Sequence, residues 1–265
     1  MNILLTNDDG ILAEGITAIA VALSTIARVY VIAPKEQRSA SGHGITIGKS
    51  MTVEEMHLPP AVRAFAVDGT PADCVRMGLY MLSKSGVKIH KVVSGANHGM
   101  NLGTDTLYSG TVSAAVEGAM NGKPSIAISV CASLPTDFDA ACKMAKIAVN
   151  LPADVHGTST ALSINLPHRT WKEIKGMIVT RLGVMEYEEI YHENSDDASK
   201  HNMRKFTYAG KAVFNNSLLS GTDIEGCRAG YITITPLQFD LTDHGKLNRL
   251  SERINKYTED PFSDS

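Results

Sequence analysis

The sequence predicts an α/β fold: a Rossmann-like, mostly parallel sheet with helices on both faces, extended by a β-rich C-terminal arm. Three observations predict it. Strand-length apolar runs alternate with helix-period segments through the first ~150 residues, the mark of βαβ units. After residue 160 the alternation gives way to isolated strand-like runs and a polar stretch at 184–228. A hydrophobic fraction of 43% over 265 residues is enough to bury a sizeable core.

The elements follow in order. Residues 2–6 read as a buried strand ending in Asn7-Asp8-Asp9-Gly10, and 15–26 read as a helix of apolar and small residues. Residues 28–33 form a second strand, stopped by Pro34. The polar stretch 35–44 is a loop, and 45–69 holds short alternating runs that close on a turn at Asp68-Gly69. Thr70-Pro71-Ala72-Asp73 is a helix start, with a capping residue, proline at the first helical position and an acid where a capping box needs one. Strands are expected at 91–94 and 125–130, and helices at 111–120 and 138–151. Later strands are expected at 162–165, 176–180 and 231–235. The organisation expected is a core over 1–183 joined by strands near 230–236, an extended arm over 184–228 that packs on a partner subunit, and a C-terminal segment over 229–265.

Composition removes several function classes. A net charge of −3 and the lack of any dense Lys/Arg run argue against a polynucleotide partner. No apolar stretch approaches the ~20 residues of a membrane helix, and no signal-peptide pattern opens the chain, so a cytoplasmic protein is expected. The four cysteines form no CxxC pair and read as buried free thiols.

In open parallel sheets, ligands bind beyond the carboxyl ends of the strands. The first strand delivers Asp8 and Asp9 to that edge, with no GxGxxG to support a dinucleotide site. Adjacent carboxylates repel, by about 4 kcal/mol at ~4 Å and an effective dielectric of ~20. Solvation, a raised pKa or a bound cation would each relieve that. The tetrapeptide alone is equally good turn chemistry. Two further loops, 36–44 and 94–105, leave strands on the same edge if the sheet is parallel, and both are rich in Ser, Gly, Asn or His. Ser109-Gly110-Thr111 then opens a helix, whose free N–H groups and positive dipole end suit a phosphate.

Four stretches, TNDDG (6–10), RSASG (38–42), DGTPADCV (68–75) and SGANHGMNLGTDTLYSGTVSAAVEG (94–118), resemble the SurE family in order and spacing. TRLG (180–183), GTD (221–223) and TPL (235–237) extend the resemblance along the chain. SurE proteins are stationary-phase survival proteins that act as 5′/3′-nucleotidases. The resemblance implies one divalent cation held by Asp8, Asp9, Ser39 and Asn97, an all-oxygen set that suits Mg²⁺ or Mn²⁺ rather than zinc. It also implies phosphate contacts from Asn101, Ser109, Gly110 and Thr111. The expected reaction is hydrolysis of nucleoside 5′- and 3′-monophosphates, with short polyphosphates as a further class. Water activated by the cation is preferred as the nucleophile over Asp8 or Asp9 themselves. His43 and His98 lie in the site loops and are candidate general acids. A homodimer or homotetramer through the arm is expected. The competing reading is a non-catalytic metal- or nucleotide-binding regulatory module on the same fold. The sequence departs from the family pattern at Ala96, where isoleucine is usual, and at Asp196-Asp197-Ala198-Ser199, which stands where a DPRG-type stretch is usual.

Overall fold

The computed structural model describes residues 1–131, 138–188, 190–194, 204–213 and 220–258. Asp196-Asp197-Ala198-Ser199 therefore lies outside the described residues. The first half runs β1 (Asn2–Thr6), α1 (Glu14–Ser24), β2 (Arg28–Pro34), β3 (Val53–Met56), β4 (Arg63–Val67), α2 (Pro71–Lys84), β5 (Lys91–His98), α3 (Gly110–Met120) and β6 (Ser125–Val130). It continues through α4 (Asp139–Val149), α5 (Ala153–His156), β7 (Ala161–Leu166) and β8 (Met177–Val179). Four short strands follow, β9 (Glu186–Glu188), β10 (Tyr191–Asn194), β11 (Lys205–Tyr208) and β12 (Lys211–Val213). The chain closes with α6 (Asp223–Ala229), β13 (Ile232–Leu237) and α7 (Leu247–Thr258).

Nine strands form one sheet in the order β3-β4-β2-β1-β5-β6-β7-β13-β8. From β4 to β7 every neighbouring pair is parallel. β3 and β13 run antiparallel to β4 and β7, so the direction reverses toward both edges. The fold is thus α/β with a large, mostly parallel sheet and additional C-terminal strands.

Alternation along the central strands explains the layers. Ile3 and Leu5 face one core with Val29 and Val31, and there they meet Ile16 and Ile19 of α1 and Met144 of α4. Leu4, Tyr30 and Ile32 face the other side and pack on Cys74, Val75 and Leu82 of α2. Helices therefore cover both faces, and the strands between them must be apolar on both. The capping box at the start of α2 forms: Thr70 Oγ1 accepts from the Asp73 backbone N–H, and the Asp73 carboxylate accepts from the Thr70 N–H.

β5 carries a bulge. Ser94 pairs with Ala127 and Asn97 with Ser129, so Gly95 and Ala96 together oppose the single residue Ile128. Gly95 stands at φ +127°, and a Cβ there would lie 2.3 Å from the Ile128 carbonyl oxygen. Only glycine tolerates both the backbone angle and the approach.

The polar stretch after β8 forms two antiparallel ribbons, β9 with β12 and β10 with β11. Among the described residues no helix is long and apolar enough to cross a membrane. The four cysteines form no disulfide; Cys74 and Cys227 are buried, and Cys131 and Cys142 are half-buried. Burial raises the thiol pKa of both buried residues, that of Cys227 to about 12.

Candidate active site

Parallel β1, β2 and β5 send their carboxyl-terminal loops to one edge, and those loops are tied to each other by backbone hydrogen bonds. The Ile11 N–H donates to the Pro34 carbonyl at 2.9 Å, and the Arg38 N–H donates to the Asp8 carbonyl at 2.7 Å. Asn7, fully buried, closes the first loop by donating from Nδ2 to the Gly10 carbonyl at 2.8 Å. Asp8 and Asp9 are thereby held side by side at the strand end.

The two carboxylates sit in different surroundings. Asp8 is only 4% exposed. Burial raises its pKa, a hydrogen bond from the Thr111 hydroxyl opposes that rise, and the charge of Asp9 adds to it. Asp9 is half-buried; its Oδ2 accepts the His98 backbone N–H at 3.2 Å, and Gln37 Nε2 approaches its Oδ1 at 3.5 Å. Nearby basic groups pair elsewhere: Arg38 with Asp68, and His43 and Arg76 with Glu117. Among the described residues neither Asp8 nor Asp9 has a basic partner. A buried carboxylate beside a second one, with no basic side chain to offset it, has its charge met by hydrogen bonds alone and suits a bound cation.

The neutral oxygens named from the sequence gather around this pair. Ser39 and Asn97 line the same cavity as Asp8 and Asp9. Ser39 Oγ accepts from Gln37 Nε2 at 2.9 Å, so one amide nitrogen spans Ser39 and Asp9. Asn97 donates from Nδ2 to the Gly99 carbonyl at 2.7 Å, which leaves Oδ1 as its atom for a cation. Two carboxylates, a hydroxyl and an amide carbonyl form a hard, doubly negative donor set, and it fits a divalent cation of the Mg²⁺ or Mn²⁺ type.

α3 meets the pair end-on. Ser109 is its N-cap, accepting the Val112 N–H on Oγ at 3.1 Å. Gly110 allows the approach: a Cβ there would lie 2.8 Å from Asp8 Cβ and 3.0 Å from Asp8 Oδ2. The Thr111 hydroxyl donates to Asp8 Oδ1, so its side chain positions the carboxylate. Asn101 lies across the ends of β6 and β7. It donates from Nδ2 to Ser129 Oγ at 2.9 Å and exchanges two bonds with Asn165 through its backbone N–H and carbonyl.

The two candidate acids separate. His98 lines the cavity with the aspartates. His43 lies in a different cavity, with its Nε2 on Glu117 Oε2 at 2.9 Å. Glu117 is buried; burial alone would raise its pKa, but His43, Asn121 and Arg76 together hold it below the usual range.

The cavity, about 590 Å³, is also lined by residues to which the sequence assigned no role. Gln37, Asp105 and Tyr108 come from the core, and Tyr187, Tyr191 and Tyr208 from the ribbons. The Tyr187 hydroxyl donates to Asp105 Oδ2 at 2.6 Å. Burial raises the pKa of Asp105, and burial together with the Asp105 carboxylate raises that of the Tyr187 phenol. Tyrosines at 187 and 191 within a charged stretch were the available signal.

The chain is similar to known proteins over most of its length. The family model described as Survival protein SurE matches residues 3–189. A 5′-nucleotidase SurE of Syntrophomonas wolfei is 40% identical over 260 residues, covering 97% of this chain and 96% of that protein. One of Pelotomaculum thermopropionicum is 42% identical, covering 96% and 95%. The crystal structure of the SurE protein from Aquifex aeolicus superposes with a TM-score of 0.79 at 34% identity, covering 98% of this chain and all of that one.

Proposed function

The chain belongs to the SurE family, and from that membership we propose that it is a divalent-metal-dependent phosphomonoesterase that hydrolyses nucleoside 5′-monophosphates, and 3′-monophosphates as well, to nucleoside and phosphate. The observation that carries the reading is the buried carboxylate of Asp8, without a basic partner among the described residues, set beside Asp9 and against the first turn of α3.

In this reading Asp8, Asp9, Ser39 and Asn97 hold one Mg²⁺ or Mn²⁺ per subunit. Bound there, the cation supplies Lewis-acid polarisation of the phosphoryl group and a lowered pKa for the attacking water. The residues of the chain do the rest. Thr111 fixes the carboxylate of Asp8 through its hydroxyl. Ser109, Gly110 and the start of α3 offer the phosphate a positive dipole end, and the Asn101 amide closes on it from the ends of β6 and β7. Asp9 keeps Oδ1 nearly free, meeting Gln37 only at 3.5 Å, and takes the proton of the attacking water there. His98 is the ring on the cavity wall that protonates the leaving oxygen. The ribbons join protomers into a homodimer or homotetramer.

Phosphate release from AMP tests the proposal. Turnover should require Mg²⁺ or Mn²⁺, disappear with chelator and return on metal addition. Asp8→Asn should abolish it while the fold survives. A wild-type protein that binds nucleotide and metal but never turns over would instead make this a regulatory binding module.

A further inference from the structure

We infer that Tyr191 and Tyr208 form an aromatic corner that stacks on the base of the nucleotide, so that the arm reads the nucleoside while the strand ends handle the phosphate. The inference deepens the proposed function and rests on its assignment of the phosphate to the Asp8 and Asp9 end of the cavity.

The chain has eight tyrosines, and four of them line this one cavity, three of those on the ribbons. The concentration is unusual because Tyr187, Tyr191 and Tyr208 all remain exposed, at 40%, 59% and 51%. Exposed rings grouped around a concave wall retain apolar faces for a ligand. Tyr191 and Tyr208 are directly opposed in the register of β10 and β11. Their ring centroids stand 5.3 Å apart and their planes are tilted by 54°. That tilt leaves the two rings as a corner rather than a closed stack, open to a flat heterocycle.

The corner is anchored relative to the phosphate end. The Tyr187 hydroxyl holds Asp105, and Thr104 Oγ1 accepts the Met185 N–H at 3.1 Å. Asp105 lies four residues before Ser109, the cap of α3. The fully buried Asp223 adds a brace, accepting the N–H groups of Gly103 at 2.8 Å and Gly183 at 2.9 Å. The ribbons thus leave the core at a fixed point beside the helix that faces the aspartates. Stacking is sequence-tolerant, because every base has a π-face. The corner therefore favours nucleotides as a class over phosphate esters that lack a base.

The test compares AMP with ribose 5-phosphate, the same phosphorylated sugar without the base, and adds adenosine binding by calorimetry. Base stacking is worth roughly 1–3 kcal/mol by alanine substitution, or about fivefold to 150-fold. In the double variant Tyr191→Ala/Tyr208→Ala, the preference for AMP over ribose 5-phosphate in kcat/KM should collapse by that factor, and adenosine affinity should fall with it. The double variant Tyr191→Phe/Tyr208→Phe keeps the ring faces and should restore both. Equal losses on AMP and ribose 5-phosphate, phenylalanine variants as poor as the alanine ones, or wild-type protein that does not bind adenosine would each overturn the inference. A wild-type protein that binds adenosine through these rings but hydrolyses neither ester would overturn the proposed activity and leave the aromatic corner standing.

Discussion

Gly110→Ala is the sharpest probe of the site, because it adds one methyl group at the contact between α3 and Asp8. The new Cβ would lie 2.8 Å from Asp8 Cβ, 3.0 Å from Asp8 Oδ2 and 3.0 Å from Ser41 Oγ. Against an ordinary carbon–carbon separation of ~3.5 Å, that is about 0.7 Å too close. Either the first turn of α3 retreats or Asp8 moves, and in both cases the Thr111–Asp8 hydrogen bond is disturbed. A misplacement on the order of 1 Å at reacting groups costs up to about a hundredfold, so metal-dependent AMP hydrolysis should fall roughly tenfold to a hundredfold. Overpacking costs about 1–3 kcal/mol, and alanine recovers about 0.5–1 kcal/mol over glycine in a helix. The net loss should stay below roughly 2.5 kcal/mol, or about 5–10 °C in Tm for a chain of this size. Phosphate release at saturating metal, read beside a thermal melt, measures both. Gly118→Ala is the control: it overpacks the far end of the same helix against Ser125 and Val92, so it should lower Tm without lowering the activity of the folded fraction. Wild-type turnover in Gly110→Ala would refute the tight coupling of α3 to Asp8.

Other outcomes follow from the same geometry. Asp8 has a raised pKa, so in the metal-free protein its ionised form opposes folding as pH rises past the unfolded value near ~3.9. Asp8→Asn should therefore leave the metal-free Tm at neutral pH unchanged or higher, and should abolish the Tm rise on adding Mn²⁺, which at about 100 Kd is worth ~2.7 kcal/mol in the wild type. A variant that keeps that rise would place the cation elsewhere. Glu117 is shifted the other way, so its stabilising effect is complete above its unfolded value of ~4.3 and is lost as pH falls through the lower folded one. Melts of wild type and Glu117→Gln should converge as pH is lowered through that window and stay apart at neutral pH. His43→Ala should lower Tm, because its ring serves Glu117, and leave the pH profile of kcat/KM in place; a displaced profile would return His43 to the chemistry.

The sequence was most legible where local chemistry and topology act together. Asn7-Asp8-Asp9-Gly10 at a strand end, Thr70-Pro71-Ala72-Asp73 as a cap and Ser109 at a helix entry each announce themselves within a few residues. The structure places them in the contexts those residues imply. The aromatic corner was not legible, because Tyr191 and Tyr208 are 17 positions apart and meet only through the register of a ribbon. α6 was missed although Thr222 caps it and Gly230 ends it at φ +91°, because only seven residues lie between and they show little periodicity. α7 was also missed; its charged residues are as many as its apolar ones, and its described side chains are exposed. The place of His43 was not legible either: it follows Ser39 closely in sequence, yet its ring bonds α3's Glu117 and lines a different cavity from Ser39.

The bulge in β5 has a consequence for how this site can change over time. A strand presents alternate residues to opposite faces, and two residues set against one shift the phase of that alternation by a single step. Asn97 lines the cavity of the aspartates on the shifted phase. The information for the site is therefore carried by reading frame within the strand as well as by residue identity. Deleting Gly95 would preserve every side chain named as a ligand and still turn Asn97 to the opposite face. Most loops around such a sheet can gain or lose a residue with little effect; this segment cannot, and its length is as much a part of the site as its asparagine.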